Sequence, residues 1–346
     1  MNLSKNNKFK PKKILIRAAN WVGDAIMTTP VIRAIRKNFP EAHISILAKP
    51  WVAPVFENNQ YIDKIIIYDA VARHKKGVGT IRLCRDLRKY KFDFTILMQN
   101  AFEAALITFL AGIPNRIGYD TDARTLLLDC PVHLDPALKK GHLIDYYLGI
   151  LKGSSLKTYG RKLNLDLSLK ERQKAVNTLK INSIYGNKII GINPGATGGT
   201  AKRWFPDRYA LLCKYLYKIT KTKILTFGGP GDETLGDQIS KDAGNCCINL
   251  SGKTSLREAF ALINKCNLFI TNDSGLMHAA AALNICQIAI IGSTDHIATP
   301  PSNENSHIMR VPTSCSPCLK PECPTDHRCM KRITVDMVLQ LAKKLI

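Results

Sequence analysis

The chain of 346 residues is short of aromatic residues and acidic residues, and it has no long apolar run. No apolar segment is long enough to cross a bilayer as a helix. Aromatic residues make up only 7% of the chain, and no nucleic-acid-binding module is recognisable, so we expect no nucleic-acid partner. No G-x-G-x-x-G follows a predicted strand, which argues against a nicotinamide-dependent oxidoreductase. A globular protein with a different kind of ligand is the starting expectation.

The excess of positive charge is the strongest compositional feature. Lys and Arg number 50 against 27 Asp and Glu, which gives a formal net charge of +23. This excess predicts an anionic partner, either a phosphorylated substrate or an acidic membrane face. The alternative is a generally basic proteome whose lysines are simply solvated. Residues 1–12 are basic, contain no acid and precede no sustained apolar region, so we expect a disordered tail and a cytoplasmic protein, not a secretory signal.

Strand and helix patterns alternate along two successive parts of the chain, which predicts an α/β protein with mostly parallel sheets. We assign residues 13–165 and 166–332 to two Rossmann-like domains. The final segment, 333–346, is predicted to be a helix, and one option is that it packs back on the N-terminal domain. Ligands of such sheets bind outside the carboxyl ends of the strands. If the two domains face each other, these edges form a cleft.

Three local signals give precise helix boundaries. Pro30 lies inside a helical pattern, so either the helix is kinked there or a short turn precedes a helix that starts at Pro30 with Thr29 as its cap. Ser255 and Glu258 have the spacing of a capping box. Thr334 is placed to cap the last helix.

In each domain, one polar stretch follows the first strand. In Trp21–Asp24, the Asp24 carboxylate is either a general base or a helix cap. The stretch Asn193–Trp204 offers glycines, the hydroxyls of Thr197 and Thr200, and the charge of Lys202, which together suit a diphosphate. The alternative for this stretch is a flexible surface loop.

Two further stretches have binding potential in the second domain. Gly228–Glu233 is a glycine-rich turn whose acids suit ribose hydroxyls, although it is equally typical of a simple turn. Thr271–His278 reads as strand, tight turn and helix. Free amides at a helix start favour anions, and Gly275 allows close approach of a ligand. The alternative is a turn capped by Asp273 or Ser274.

Eleven cysteines occur, and seven lie in apolar settings where burial in the reduced state is expected. The other four are spaced C-x2-C-x4-C-x5-C at Cys315, Cys318, Cys323 and Cys329. This density fits either a zinc site or a reduced structural loop. Metal is not part of the predicted function.

Taken together, the motifs make the chain similar to a known family. Trp21–Asp24, Asn193–Ala196 with Ala201–Trp204, Thr271–His278 and the late Cys-rich loop 315–329 occur in the order found in the ADP-heptose:lipopolysaccharide heptosyltransferases, glycosyltransferase family 9. The resemblance extends from Lys13 to the C-terminus. Trp21 and the Ala-Lys-Arg-Trp sequence favour the heptosyltransferase II type over type I.

The resemblance implies a GT-B fold and an inverting transfer of L-glycero-D-manno-heptose from ADP-heptose, without a cofactor. The implied acceptor is the first heptose of the anionic lipopolysaccharide inner core, reached from the inner face of the inner membrane by a peripheral contact. Asp24 is the implied base. Implied donor ligands are Thr197, Thr200, Lys202, Glu233, Asp273, Ser274, Gly275 and His278. Expected acceptor contacts are Trp21, Gly23, Arg116 and Arg124.

Two alternative functions remain open. The chain could be a type I or type III enzyme of the same family, because donor and acceptor specificity lie in a few side chains. It could also be a non-catalytic protein that binds a nucleotide sugar or an anionic lipid. Where relatives carry a second Thr beside Thr197, this chain has Gly198, which weakens the expected phosphate contact.

Overall fold

The computed structural model describes residues 9–184 and 188–346. Most of the predicted basic tail, residues 1–8, lies outside that range. The chain forms two compact units, Met1–Asp166 and Leu167–Ile346. Within the described ranges, none of the helices combines the length and the apolar character needed to span a membrane.

The first unit is a parallel sheet with helices on its faces. Its elements are β1 (Lys13–Arg17), α1 (Val22–Met27), α2 (Thr29–Asn38), β2 (His43–Ala48), β3 (Lys64–Ile67), α3 (Val78–Arg88), β4 (Phe94–Leu97), α4 (Phe102–Leu110), β5 (Arg116–Tyr119), β6 (Cys130–Val132), α5 (Pro136–Lys140) and α6 (Leu143–Gly153). The strand order is β3-β2-β1-β4-β5-β6. Ile14 of the central strand pairs with Ile44 on one side and Phe94 on the other, and all three are buried. Continuous apolar strands of this kind are expected when helices cover both faces of a sheet.

The second unit repeats the same topology. Its elements are α7 (Leu169–Ile181), β7 (Ile190–Asn193), α8 (Pro206–Thr220), β8 (Ile224–Thr226), α9 (Glu233–Ala243), β9 (Cys247–Asn249), α10 (Leu256–Ile263), β10 (Leu268–Asn272), α11 (Gly275–Ala282), β11 (Gln287–Ile290), β12 (Ser306–Met309), α12 (Arg328–Lys331) and α13 (Val335–Leu345). The order β12-β11-β10-β7-β8-β9, read from the other edge, matches that of the first sheet. Both units therefore have the doubly wound Rossmann order, and the predicted α/β class is confirmed.

The segment around Pro30 is a helix interrupted at Thr28, which is closer to the predicted kink than to a turn followed by a helix start at Pro30. Helix α1 ends at Met27, and α2 begins at Thr29 with Pro30 in its first turn. The preceding residue is Thr28, one position earlier than the predicted cap, and the hydroxyls of Thr28 and Thr29 donate to carbonyls of α1. A proline is tolerated there because the first amides of a helix have no intrahelical partner.

Both other boundary signals are confirmed. Ser255 and Glu258 form a complete capping box at the start of α10. Thr334 accepts a hydrogen bond from the amide of Met337 and caps α13.

The last helix, α13, belongs to the core of the second unit. Val338, Leu339 and Ala342 are buried in the same apolar cluster as Leu212 and Leu216 of α8. Its buried apolar residues thus belong to the second unit's own core.

Helices α7 and α10 are joined by an ion pair between Glu171 and Arg257. Two guanidinium nitrogens donate to the two carboxylate oxygens, at 2.6 and 2.8 Å. The same carboxylate accepts from the amide of Ser168 and completes the capping box of α7. The hydrogen bond from Arg257 is the main reason that the pKa of Glu171 falls from its usual 4.5 to about 2. One carboxylate therefore fixes both the start of α7 and its docking on α10.

This ion pair gives the folded protein a pH-dependent contribution to stability. Folding lowers the pKa of Glu171, so the pair stabilises the protein above about pH 4.5 and that stabilisation is lost as the pH falls toward 2. We expect Glu171→Gln to lower the free energy of unfolding at pH 7 by roughly 1–2 kcal/mol after allowance for solvent screening. Urea unfolding at several pH values measures this difference, which should shrink as the pH falls below about 4.5. A difference that did not vary with pH would show that charge pairing is not its origin.

Candidate functional site

The two sheets place their crevices at equivalent points. The strand order reverses between β1 and β4 in the first unit and between β7 and β10 in the second. Strands at such a point lead into connections on opposite faces of the sheet, so a gap opens beyond their carboxyl ends, where ligands of this fold bind. Residues following β1, β7 and β10 are the ones that the sequence singled out.

In the second unit, Asn193 bridges the two strands that flank the gap. Its buried side-chain amide donates to the hydroxyl of Thr271 at 3.1 Å and to that of Ser274 at 2.7 Å. Ser274 is the residue before α11, and no side-chain cap hydrogen bond forms there. The bridge therefore fixes the loop after β7 and the start of α11 in one arrangement.

Asn272 makes a second buried link beneath the loop 193–204. Its side-chain oxygen accepts from the amide of Trp204 at 3.1 Å and from the hydroxyl of Tyr209 at 3.0 Å. Its side-chain nitrogen donates to the carbonyl of Pro194 at 2.7 Å. Both ends of the loop are thus anchored on a single amide, which argues against the flexible-loop alternative.

The charged groups of this site are Lys202 and Asp273. The Lys202 ammonium lies 4.0 Å from an oxygen of Asp273, and the Asp273 side chain is almost fully buried. Thr197 and Thr200 lie on the exposed part of the same loop. A cation, two hydroxyls and the start of a helix are therefore presented together, as the sequence predicted for an anion site.

Gly275 and His278 lie on α11 itself. Gly275 is its first residue, and His278, one turn further on, is buried. The structure thus brings Asp273, Ser274, Gly275 and His278 together at one helix start.

The predicted ribose acid, Glu233, begins α9 and accepts a hydrogen bond from the amide of Gly231 at 2.6 Å. Its neighbour Asp232 accepts from the amide of Gly229 at 3.0 Å and lies 3.5 Å from Arg203. Both carboxylates stabilise the glycine-rich turn, and the ribose role of Glu233 stays a prediction.

The Cys-rich loop supports the loop after β7. The carbonyl of Pro321 accepts from the amide of Ala201 at 3.0 Å. Gly199 has φ +130°, and a Cβ added there would lie 2.0 Å from the Pro321 carbonyl oxygen. On its other side, the Cys-rich loop is held by the carbonyl of Ser293, which accepts from the amides of Cys318 and Leu319.

The four loop cysteines are near one another but do not form a metal-binding group. In residues 9–184 and 188–346, no three or more His, Cys, Asp or Glu side chains are arranged to hold a metal ion. Burial is the main reason that the pKa of the Cys329 thiol is raised, and the neighbouring loop thiols add to this effect. The side-chain hydrogen bond with Thr325 instead lowers the pKa of Cys323. A zinc site and a reduced structural loop therefore both stay predictions for Cys315, Cys318, Cys323 and Cys329.

In the first unit, Asp24 lies in the first turn of α1, directly beyond the end of β1. Trp21 precedes the helix with its side chain exposed, and Gly23 is partly buried beside it. Burial and then the charge of Asp24 raise the pKa of Tyr147 on α6, which places the carboxylate against that helix. A helix start stabilises the ionised form of a carboxylate.

Lys49 and Trp51 lie beside the same loop and were not singled out by the sequence analysis. The Trp51 indole donates to the carbonyl of Asn20 at 2.9 Å, and the Lys49 ammonium lies 5.0 Å from the centre of the Trp51 ring. Burial and the nearby charge of Arg17 lower the pKa of Lys49. The position of Trp51 just after a predicted strand was an available signal.

Arg116 and Arg124 are placed differently from the predicted acceptor contacts. Arg116 is 8% exposed, pairs with Asp129 at 2.8 Å and donates to the carbonyls of Leu127 and Ile113. Arg124 is fully buried and donates to the carbonyls of Tyr119 and Gln99 and to the side chain of Asn100. Guanidinium groups used in this way stabilise the fold, so we assign them a structural role.

Two Rossmann-ordered sheets in one chain, each with polar residues at its switch point, have the architecture of the GT-B type. The chain belongs to glycosyltransferase family 9 (heptosyltransferase), whose sequence model matches residues 80–328. It is 31% identical to lipooligosaccharide heptosyltransferase 2 of Campylobacter jejuni, over 96% of this chain and 98% of that protein. It is 30% identical to lipopolysaccharide heptosyltransferase 2 of Escherichia coli K12, over 95% and 97%. The structure of E. coli ADP-heptose lipopolysaccharide heptosyltransferase II superposes with a TM-score of 0.82 and 28% identity, covering 96% of this chain and 98% of that one.

The contact between Gly199 and Pro321 predicts different effects for two neighbouring substitutions. Gly198→Ala and Gly199→Ala both place a side chain at positive φ, but only position 199 meets the Pro321 backbone. We expect Gly199→Ala to break the hydrogen bond from Ala201 and to lower the protection of that amide in hydrogen exchange about tenfold, close to the net value of one hydrogen bond. Gly198→Ala, the matched control, should leave the Ala201 amide protected. Equal loss of protection in both variants would show that backbone strain at positive φ, and not the contact with Pro321, causes the effect.

Proposed function

We propose that this member of family 9 transfers L-glycero-D-manno-heptose from ADP-heptose to the first heptose of the lipopolysaccharide inner core, with inversion at the anomeric carbon. The main support is the placement of Lys202, Asp273 and Ser274 at one switch point and of Asp24 at the other. The likeness to heptosyltransferases of type 2, at about the same identity in two bacteria, supports this choice of reaction.

In the proposed reaction, the Asp24 carboxylate takes the proton of the acceptor hydroxyl. That oxygen then attacks the anomeric carbon from the face opposite the diphosphate, and the bond from the anomeric carbon to the phosphate oxygen breaks. The product is a glycoside of inverted configuration, together with ADP and a protonated Asp24. A carboxylate placed beside an acceptor hydroxyl can act as a general base.

The leaving ADP gains negative charge as the bond breaks. Lys202 and the free amides at the start of α11 are fixed donors that stabilise this charge. Thr197 and Thr200 add hydroxyl donors from the same loop. Asp273 holds the Lys202 ammonium at 4.0 Å, and we assign it a second role in binding heptose hydroxyls, with Gly275 and His278 beside it. No metal ion or cofactor is needed for this step.

The acceptor is proposed to bind beside Asp24. Trp21 and Trp51 are 59% and 45% exposed, and aromatic faces of this kind pack well on the apolar faces of sugar rings. Arg17, Lys49 and Lys76 concentrate positive charge nearby, as their mutual effect on the pKa of Lys49 indicates. An anionic acceptor relieves that repulsion. We place the protein at the cytoplasmic face of the inner membrane, where a lipid-linked acceptor would be presented.

The first alternative is a type I or type III activity within the same family, which differs in acceptor position. Acceptors carrying no heptose, one heptose or two heptoses distinguish these activities by the mass of the product. The second alternative is non-catalytic binding of a nucleotide sugar or an anionic lipid, and it requires no base.

Replacement of the base tests catalysis separately from binding. We expect Asp24→Asn to lower kcat for heptose transfer at least about a hundredfold while ADP binding is retained. The measurement is product mass from ADP-heptose and an acceptor with one heptose, together with calorimetric titration of ADP. Asp336→Asn is the matched control, since Asp336 also lies in the first turn of a helix, α13, which follows neither switch-point strand. Full activity in Asp24→Asn would rule out this residue as the base.

Replacement of Lys202 tests the diphosphate site. We expect Lys202→Ala to weaken ADP binding roughly 10- to 100-fold, because a charge-assisted hydrogen bond contributes about 1.5–3 kcal/mol. Lys214→Ala on the exposed side of α8 carries the same charge change and should bind ADP like the unmodified protein. Equal ADP affinity in the two variants would place the diphosphate elsewhere.

A further inference from the structure

The outer surface of α3 and α4 is the least explained part of the first unit. The inner sides of these helices pack on the sheet, where Leu83, Leu87 and Ile107 are buried in one apolar cluster with Leu15 of β1 and Leu47 of β2. The two helices also touch each other, since Arg88 at the end of α3 donates to the carbonyl of Leu110 at the end of α4. The inward sides of both helices are therefore buried in the first unit, whereas their outward sides carry exposed apolar residues.

Helix α4 is apolar on its outward side as well. Phe102, Leu106 and Phe109 recur at the spacing of one helix face, and Phe102 and Phe109 are 45% and 46% exposed. Glu103 is its one charged residue, and that carboxylate accepts from the buried Tyr68 hydroxyl at 2.8 Å. A helix that is apolar all round is normally covered on all sides. The outward side of α4 thus has the composition of an interface.

Helix α3 continues this surface with a mixed stripe. Val78, Ile81, Arg85 and Arg88 lie on one face, and Val78 and Ile81 are 74% and 58% exposed. Asp86, the one acid of this helix, is neutralised by Arg73 at 2.6 Å and Lys89 at 3.1 Å. The surface formed by α3 and α4 is therefore apolar and basic, without an unpaired acid on either helix.

We propose that this α3–α4 surface docks on an anionic lipid bilayer. Its exposed apolar side chains enter the boundary between headgroups and acyl chains. The exposed guanidinium groups of Arg85 and of Arg82, which also donates to the Arg73 carbonyl at 3.1 Å, contact headgroup phosphates. Peripheral helices bind membranes through this combination of apolar area and basic charge. The proposal deepens the proposed function, which needs a lipid-linked acceptor, but its evidence is the surface itself.

Charge favours a bilayer over a second copy of the chain. Most closed homodimers use the same patch on both partners, which would bring the arginines of α3 in one copy toward those of the other without acids between them. An anionic lipid surface instead supplies opposite charge to every one of these groups. Dimerisation is therefore the outcome that would overturn the proposal.

The test uses the full chain and vesicles of phosphatidylethanolamine with phosphatidylglycerol, and sedimentation measures the bound fraction. We expect the double variant Ile81→Ser/Phe102→Ser to lower partitioning about tenfold or more, in proportion to the apolar area lost. The matched control is Leu169→Ser/Ile181→Ser on α7, where two apolar residues that are more exposed than Ile81 and Phe102 are replaced. Control and unmodified protein should bind alike.

A second variant tests the charge component. Arg82→Gln/Arg85→Gln should lower binding roughly 20-fold at low salt and should make the remaining binding less sensitive to salt. Lys214→Gln/Lys218→Gln on α8 is the control with the same change of net charge. Unchanged vesicle binding in both α3–α4 variants, or their conversion of a dimer to a monomer in sedimentation velocity, would overturn the proposal.

Activity separates this proposal from the proposed function. With a delipidated, water-soluble acceptor, the α3–α4 variants should transfer heptose at the unmodified rate, whereas transfer to a vesicle-embedded acceptor should fall with binding. If the unmodified protein transfers no heptose but binds vesicles through this surface, the reaction is wrong and the docking stands. If transfer to the embedded acceptor is equal in all variants, the docking surface is wrong and the reaction stands.

Discussion

The buried side-chain amide of Asn193 is the contact on which the second unit's candidate site depends. Asn193 and Thr271 are the last residues that pair β7 with β10. By donating to Thr271 and Ser274, the Asn193 side chain links the two chain segments just beyond that pairing. A buried amide left without partners would cost roughly 1–3 kcal/mol. The start of α11 and the loop after β7 are therefore held together.

Local sequence signals made much of the fold predictable, whereas the inner contacts of the site depend on which strands are neighbours. Strand runs, the Ser255 capping box and the Thr334 cap are local, and the structure bears them out. The roles of Asn193 and Asn272 depend on which strands are neighbours, which a single sequence does not state. Side-chain burial is also a tertiary property. Polarity and sequence context suggested surface contacts for Arg124, but the sheet encloses its guanidinium completely.

The large net charge acts locally in two different ways. In the first unit, burial and then the charge of Arg17 lower the pKa of Lys49, whereas Glu103 raises it. An anionic ligand bound beside Arg17 and Lys49 would reduce their mutual repulsion. On α3, by contrast, the arginines are exposed and screened by salt, so their effect is on association with a charged surface. Net charge alone, as read from the sequence, could not distinguish these two uses.

The C-terminal segment 315–346 supports the donor loop 193–204, although the two are far apart in the sequence. Pro321 holds the Ala201 amide, and the carbonyl of Ile333 accepts from the Trp204 indole at 2.9 Å. The loop 193–204 is thus held from beneath by Asn272 and from outside by the C-terminal part of the chain. This support depends on the close approach of Gly199 to the Pro321 backbone, which leaves no room for a side chain at position 199. The Cys-rich segment therefore contributes to the candidate donor site through the backbone carbonyl of Pro321.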